Sequence, residues 1–215
     1  NLSERFQDYT LYIKRDDQTG LASGGNKTRK VEYLLYDAIH KGCDAVITGG
    51  AQQSNHCRQT AAGGAQAGIE CHLLLGGDEP EVYDGNLYLS KVSGATIHFT
   101  GENRKGEDIE RVKNELIKEG KKPYVIPYGG SNMIGALGFV NAIIELKQQL
   151  DETGVNIDYI FFASSSGGTQ AGMYLGKLIS GLKSKFMPIF IDKEESEHDL
   201  RDLIYDIIQE GRGIL

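Results

Sequence analysis

The sequence lacks features that mark several classes of protein. It has no apolar run near the roughly 20 residues that a membrane-spanning helix needs, and no signal-peptide pattern opens it. Basic residues are outnumbered, with 23 Lys and Arg against 30 Asp and Glu, and the net charge of −7 argues against binding to nucleic acid or to an anionic membrane surface. We therefore expect a cytoplasmic protein with neither nucleic acid nor a membrane as its partner.

Cysteine is also scarce, whereas glycine is abundant. The cysteines Cys43, Cys57 and Cys71 are odd in number and cannot all pair within one chain, which favours a reducing compartment. The neighbouring pairs 56–57 and 71–72 join His to Cys without the spacing of zinc ligands, so no metal site is predicted. The 28 glycines, about twice the usual share, cluster at the ends of apolar runs and indicate tight turns and ligand-facing loops.

Short apolar segments alternate with helical patterns along the chain. A strand signal at residues 11–13 is followed by predicted strands at 44–48, 69–75, 95–99, 124–126, 159–162 and 186–191. Helices are predicted after Lys27 and at 54–67, 86–92, 109–117, 133–150, 170–182 and 195–210. This alternation predicts an α/β fold with open parallel sheets flanked by helices. The nearly all-apolar segment 159–162 predicts a central strand buried on both faces.

The stretch 24–30, with the sequence GGNKTRK, places Lys27 at a predicted helix start, with Asn26 as the predicted cap. A cation there is unfavourable because a helix N-terminus carries partial positive charge, and the cost falls if the amine is held neutral. The register of the glycines and Lys27 does not match a P-loop. A solvated lysine in a glycine-rich loop is the alternative.

Two further loops follow predicted strands, where ligands bind in open parallel sheets. The loop 164–169 opens a helix with Ser, Gly and Thr, a pattern that predicts a phosphate site because it offers N–H groups and hydroxyls; a flexible surface turn is the alternative. Ser166 lacks the Gly-x-Ser-x-Gly pattern of a hydrolase nucleophile. In the loop 49–56, the side chain of Ser54 is either a helix cap or part of a site.

Four segments together resemble the D-cysteine desulfhydrase / 1-aminocyclopropane-1-carboxylate (ACC) deaminase family. They are LYIKRDD at 11–17, GGNKTRK at 24–30, QSNH at 53–56 and IPYGGSN at 126–132, and the resemblance covers nearly the whole chain. The family consists of fold-type II pyridoxal-phosphate enzymes related to the tryptophan synthase β-subunit. The resemblance implies pyridoxal 5′-phosphate as cofactor and two subdomains, which we expect at 1–40 with 155–215 (the larger, cofactor-binding one) and at 41–154.

The resemblance also implies roles for individual residues. Lys27 matches the lysine that forms the Schiff base and then carries the substrate proton, and Ser54 matches a catalytic serine that binds the substrate carboxylate or relays a proton. The flanking residues implied to bind substrate are Gln53 and His56. The other residues implied to bind the cofactor are Asn55 at the ring hydroxyl, Lys30 as a countercharge, and Ser166, Gly167, Gly168 and Thr169 at the phosphate.

The implied reaction is elimination of the thiol from D-cysteine, giving pyruvate, ammonia and hydrogen sulfide. His56 and the run GGSN at 129–132 favour the desulfhydrase, and ACC deamination is the alternative. Relatives have further segments before Leu11 and after Leu215, so the chain is expected to be truncated at both ends. A catalytically incomplete module that binds the cofactor or a phosphate is therefore the alternative of another class. A small amino acid is the expected substrate and a homodimer the expected assembly.

Overall fold

The computed structural model describes residues 5–191 and 197–214. Its helices are α1 (Thr28–His40), α2 (Asn55–Ala67), α3 (Gly85–Val92), α4 (Ile109–Lys118), α5 (Met133–Thr153), α6 (Gly168–Ser180) and α7 (Glu197–Ile214). Its strands are β1 (Ala45–Ala51), β2 (Glu70–Gly76), β3 (Thr96–Phe99), β4 (Pro123–Val125), β5 (Tyr159–Ser164) and β6 (Lys185–Phe190). The first two residues of the helix predicted at 195–210 lie outside the described residues. None of the described helices is both long and apolar enough to cross a membrane.

The strands form two sheets, and within each sheet they run parallel. The first sheet has the order β3-β2-β1-β4, and in the second sheet β5 pairs with β6. In the first sheet Ala45 of β1 lies opposite both Glu70 of β2 and Pro123 of β4. The predicted α/β fold with parallel sheets flanked by helices is confirmed, whereas the division into two subdomains stays a prediction.

Helices cover both faces of the first sheet. Val46 of β1 packs into a core with Leu34 of α1 and Ala61 of α2, whereas Ile47 packs on the opposite face against Val112 of α4. Successive strand residues point to opposite faces, so a strand buried on both sides is apolar throughout. This packing fixes β1 at the centre of the sheet and sets the direction of the loop that follows it.

The second sheet departs from the prediction that residues 159–162 are buried on both faces. Ile160 and Phe162 of β5 pack on a core that includes Phe186 of β6, but Tyr159 is 50% exposed and Phe161 is 67% exposed. The prediction is wrong because, among the described residues, helices cover only one face of this sheet.

Two predictions near the N-terminus are also wrong. Residues 11–13 form no strand, and the side chain of Ile13 is 73% exposed. Lys27, not Asn26, occupies the cap position of α1, and no side chain caps this helix. The carbonyl oxygen of Lys27 accepts the first hydrogen bond of the helix, from the N–H of Val31 at 2.9 Å. The helix therefore begins one residue later than the predicted cap at Asn26 implies.

Helix α5 lies against α1 and α6 at positions where glycine is required. A Cβ on Gly138 of α5 would lie 1.9 Å from the carbonyl oxygen of Arg29 in α1. On α6, a Cβ on Gly172 would lie 2.2 Å from the carbonyl oxygen of Ala136, and one on Gly176 would lie 2.7 Å from that of Val140. At all three positions the neighbouring atom belongs to a backbone, which cannot rotate away as a side chain can.

We expect Gly138→Ala to lower the free energy of unfolding by about 1–3 kcal/mol or more, because the added methyl group forces α1 and α5 apart. Chemical denaturation measures the change. Gly213→Ala in α7 is the matched control, since a Cβ there meets nothing within 4 Å, and its stability should stay equal or rise by up to about 1 kcal/mol. Equal stability of the Gly138→Ala variant and the unaltered chain would contradict the proposed close packing.

Candidate functional site

The loops after β1, β4 and β5 converge with the start of α1 around one cavity of about 360 Å³. This volume falls in the range of small-molecule sites, roughly 300–1,000 Å³. The residues that line the cavity are Asn26, Lys27, Ser54, Asn55, His56, Tyr128, Gly129, Ala163, Ser164, Ser165, Ser166, Gly167, Thr169 and Ile191. Segments far apart in sequence thus meet at the carboxyl ends of parallel strands, as such folds require.

Most residues predicted for the site belong to this lining, namely Lys27, Ser54, Asn55, His56, Ser166, Gly167 and Thr169. Lys30 and Gly168 are buried next to it. Gln53 is not among the lining residues, and its side-chain amide is hydrogen-bonded to the segment that begins α3. The structure therefore brings together all but one of the predicted residues, while their individual roles stay predictions.

Lys27 faces the loop after β4 and the loop after β5. A Cβ placed on Gly129 would lie 3.6 Å from Lys27 Nζ and 2.4 Å from Ser166 Oγ, so the lysine, this glycine and the serine adjoin one another. Burial lowers the pKa of Lys27 below its ordinary value. A lysine with a lowered pKa carries more of the neutral amine, which is the form that attacks a carbonyl group.

Lys30 is one turn further along α1 and is completely buried. Its Nζ donates to the carbonyl oxygen of Gly129 at 3.0 Å and to Ser131 Oγ at 3.3 Å. Burial, and secondly the charge of Lys27, hold the pKa of Lys30 well below its ordinary value. Within the described part of the chain no carboxylate pairs with it. A buried ammonium group without a counter-ion is costly, so this position suits an anionic ligand.

The start of α6 forms a narrow cradle beside Lys30. A Cβ on Gly168 would lie 2.9 Å from Ser131 Oγ and 3.0 Å from Lys30 Nζ. The hydroxyl of Ser164 is buried in the cavity wall without a hydrogen-bond partner. Because the first N–H groups of a helix also lack intrahelical acceptors, the start of α6 adds N–H donors to the Ser131 hydroxyl and the Lys30 amine. This donor set fits a phosphate group, in agreement with the phosphate site predicted from the sequence.

Ser131 is a residue to which the sequence analysis assigned no role. Its Oγ donates to Ser166 Oγ at 2.8 Å and accepts from Lys30 Nζ and from the N–H of Gly168, both at 3.3 Å. It thus joins the buried amine of Lys30 to the loop at the start of α6. The sequence contained one sign of this role: Ser131 lies in a loop that follows a predicted strand, as do the loops 49–56 and 164–169.

Ser54 and His56 occupy the start of α2. Ser54 Oγ accepts from the N–H of Cys57 at 3.2 Å, which confirms that it caps the helix. His56 Nε2 lies 3.0 Å from Thr48 Oγ1, whereas its Nδ1 is buried without a partner. Burial, and secondly the charges of Lys27 and Lys30, hold the pKa of His56 well below its ordinary value, so the ring is neutral.

A family model described as pyridoxal-phosphate dependent enzyme matches residues 1–191. The chain belongs to this family. Pyridoxal 5′-phosphate is accordingly its cofactor. The residues present fit this group, because the cavity holds an amine with a lowered pKa, which suits an aldehyde, and buried donors lie in and beside its wall, which suit a phosphate.

Two relatives are more than one third identical to the chain over the residues that align. A Pyrococcus abyssi protein, named provisionally as a 1-aminocyclopropane-1-carboxylate deaminase, is 38% identical over 208 residues. A mitochondrial bifunctional D-cysteine desulfhydrase/1-aminocyclopropane-1-carboxylate deaminase of Arabidopsis thaliana is 39% identical over 211 residues. The matches cover 95% and 93% of this chain but only 62% and 51% of the two relatives.

Solved structures agree with membership of the pyridoxal-phosphate family. A crystal structure of an ACC deaminase homologue superposes with a TM-score of 0.89 at 38% identity, covering 99% of this chain and 64% of that one. Serine racemase from Dictyostelium discoideum gives a TM-score of 0.69 at 18% identity over 97% of this chain and 70% of that one, which shows a shared fold alone. The resemblance drawn from the sequence motifs, with the fold-type II architecture it implied, is confirmed.

Proposed function

We propose that this chain carries the cofactor site of a lyase that eliminates the thiol from D-cysteine, releasing pyruvate, ammonia and hydrogen sulfide. The proposal rests on one observation. Lys27, Ser166 and the tight turn at Gly129 lie in the same cavity as Ser54 and Asn55. The bifunctional relative is named for D-cysteine desulfhydrase activity, which supports this substrate.

Bound pyridoxal phosphate supplies an electron sink for the charge left when the substrate α-carbon loses its proton. Lys27 would hold the aldehyde of the cofactor, and its amine would move the proton at the substrate α-carbon. The lowered pKa of Lys27 suits this work because a base is effective when its pKa is close to the operating pH. Lys30 and the start of α6 would hold the phosphate.

The side chains at the start of α2 would orient the substrate. Ser54 lines the cavity, where its hydroxyl would donate to the substrate carboxylate. His56 is neutral and lines the cavity, and its buried Nδ1 has no hydrogen-bond partner. With both side-chain amide atoms of Gln53 already bonded to Asp84 and Asn86, we propose that Gln53 contributes to substrate binding by holding the loop.

ACC deamination is the competing proposal for the same cavity, and two relatives carry that name. We expect the purified chain, loaded with cofactor, to release sulfide and pyruvate from D-cysteine faster than it releases α-ketobutyrate from ACC. Both products are measured on one sample, with free cofactor at equal concentration as the blank and Lys27→Ala as the inactive control. A faster release of α-ketobutyrate would assign the deaminase reaction instead.

A non-catalytic role, in which the chain binds the cofactor or a phosphate without turnover, is the proposal of another class. A chain that binds the cofactor, gives an adduct reducible by borohydride and yet forms neither product would establish it. We propose in addition a homodimer and a cytoplasmic location. Light scattering after size-exclusion chromatography tests the first, and microscopy of the tagged protein tests the second.

A further inference from the structure

Asn86, in the first turn of α3, lies 31 residues from Asn55 in sequence but contacts it directly. Its Nδ2 donates to the carbonyl oxygen of Gln53 at 2.7 Å and to Asn55 Oδ1 at 3.0 Å. Asn55 lines the cavity, and the family resemblance implies that it contacts the cofactor ring oxygen. Asn86 itself does not line the cavity, so it can act on a ligand there through its hydrogen bond to Asn55.

The orientation of both amides follows from chemistry alone. A backbone carbonyl can only accept a hydrogen bond, so the Asn86 atom beside the Gln53 oxygen has to be the nitrogen. That nitrogen can only donate, so the Asn55 atom beside it has to be the oxygen. The amide nitrogen of Asn55, which is a donor only, is left to face a ligand.

The contact belongs to a built network. Gln53 Oε1 accepts from the N–H of Asn86 at 2.8 Å, and Gln53 Nε2 donates to Asp84 Oδ1 at 2.9 Å. Gly85 comes so close to Gln53 that a Cβ would lie 2.5 Å from Gln53 Oε1. The start of α3 is therefore fixed to the loop after β1, and Asn86 is held in the position where it orients Asn55.

We propose that Asn86 is a positioning residue that forces Asn55 to donate to the ring oxygen of the cofactor. A donor at that oxygen stabilises its ionised form, and a hydrogen bond to a charged group is stronger than one to a neutral group. Asn86 thereby favours the ionised form of the Lys27-bound cofactor, which absorbs visible light. This inference rests on the proposed function, since it requires the cofactor on Lys27.

The test is the absorption spectrum of cofactor-loaded Asn86→Asp as a function of pH. A carboxylate at position 86 can only accept, so Asn55 turns its nitrogen towards it and presents its oxygen to the ring, whose oxygen then has to keep its proton. We expect the ratio of the visible band to the near-ultraviolet band to fall about tenfold or more. Asn86→Ala, which leaves Asn55 free to take either orientation, should give an intermediate ratio.

Asn114→Asp is the matched control, because it makes the same chemical change on an exposed residue of α4 and should leave the spectrum unchanged. A borohydride-reducible adduct on Lys27 in every variant shows that the cofactor attachment on which this inference rests is intact. Absence of that adduct in the unaltered chain would overturn the proposed function, whereas equal spectra of Asn86→Asp and Asn114→Asp would overturn the role of Asn86 alone. Circular dichroism of both variants verifies folding, and if Asn86→Asp does not fold, the same comparison with Asn86→Ala decides.

Discussion

Lys27→Ala is expected to abolish the borohydride-reducible adduct and to slow product release by at least about 10²–10⁴-fold, the contribution of a positioned general base alone. The loss is greater if covalent attachment itself accelerates the reaction. The physical reason is that Lys27 Nζ lies beside Gly129 and Ser166 with a lowered pKa. Steady-state assays of sulfide release measure the rate.

Peptide mass spectrometry of the reduced protein should locate the cofactor on Lys27. Lys183→Ala, which changes an exposed lysine between α6 and β6, is the control and should keep both the adduct and the rate. An adduct that persists in Lys27→Ala would show that another amine, with Lys30 the nearest candidate, holds the cofactor.

Lys30→Met is expected to weaken cofactor binding by about 10–100-fold. The variant removes a donor beside the phosphate cradle. A hydrogen bond to a charged group, here the phosphate, contributes about 1.5–3 kcal/mol, and each 1.4 kcal/mol corresponds to tenfold in affinity. Spectroscopic titration measures the dissociation constant, and competition by inorganic phosphate locates the effect at the phosphate. Lys183→Met is the matched control. An unchanged dissociation constant would show that the phosphate lies elsewhere.

The same variant should change how stability depends on pH. The unfolded chain protonates Lys30 below its ordinary pKa of 10.5, whereas the folded chain protonates it only at a much lower pH because the side chain is buried. Between those two pKa values the unfolded state holds more protons, so the free energy of unfolding of the cofactor-free chain rises with pH. In Lys30→Met this rise should be smaller, and denaturation at several pH values between neutral and alkaline measures it.

Much of the fold was predictable because glycines separate the strand segments from the helical segments, and the spacing of apolar residues differs between the two. The start of α5 at Met133 was predicted correctly, and the observed start of α2 at Asn55 puts Ser54 in the cap position. The burial of a strand was less predictable, since it depends on what packs over it. Phe161 is as apolar as a central-strand residue, yet 67% exposed.

The cavity was predictable as a set of loops, because parallel strands bring their carboxyl ends to one edge. The contacts behind the cavity wall were not. Ser131 and Ser166 are 35 residues apart in sequence, and Asn86 and Asn55 are 31 apart. Such pairs depend on the angles at which helices and loops pack, and no local pattern in the sequence encodes those angles.

The glycine contacts of α5 bear on the cofactor site itself. Helix α5 lies between α1, which begins beside Lys27, and α6, which begins at the phosphate cradle, and its backbone touches both through Gly138 and Gly172. Contacts between backbones have no rotamers to change, so the span from Lys27 to the cradle is set when the chain folds. The site is thereby preorganised, and the entropy of arranging its two ends is lost in folding and not in binding.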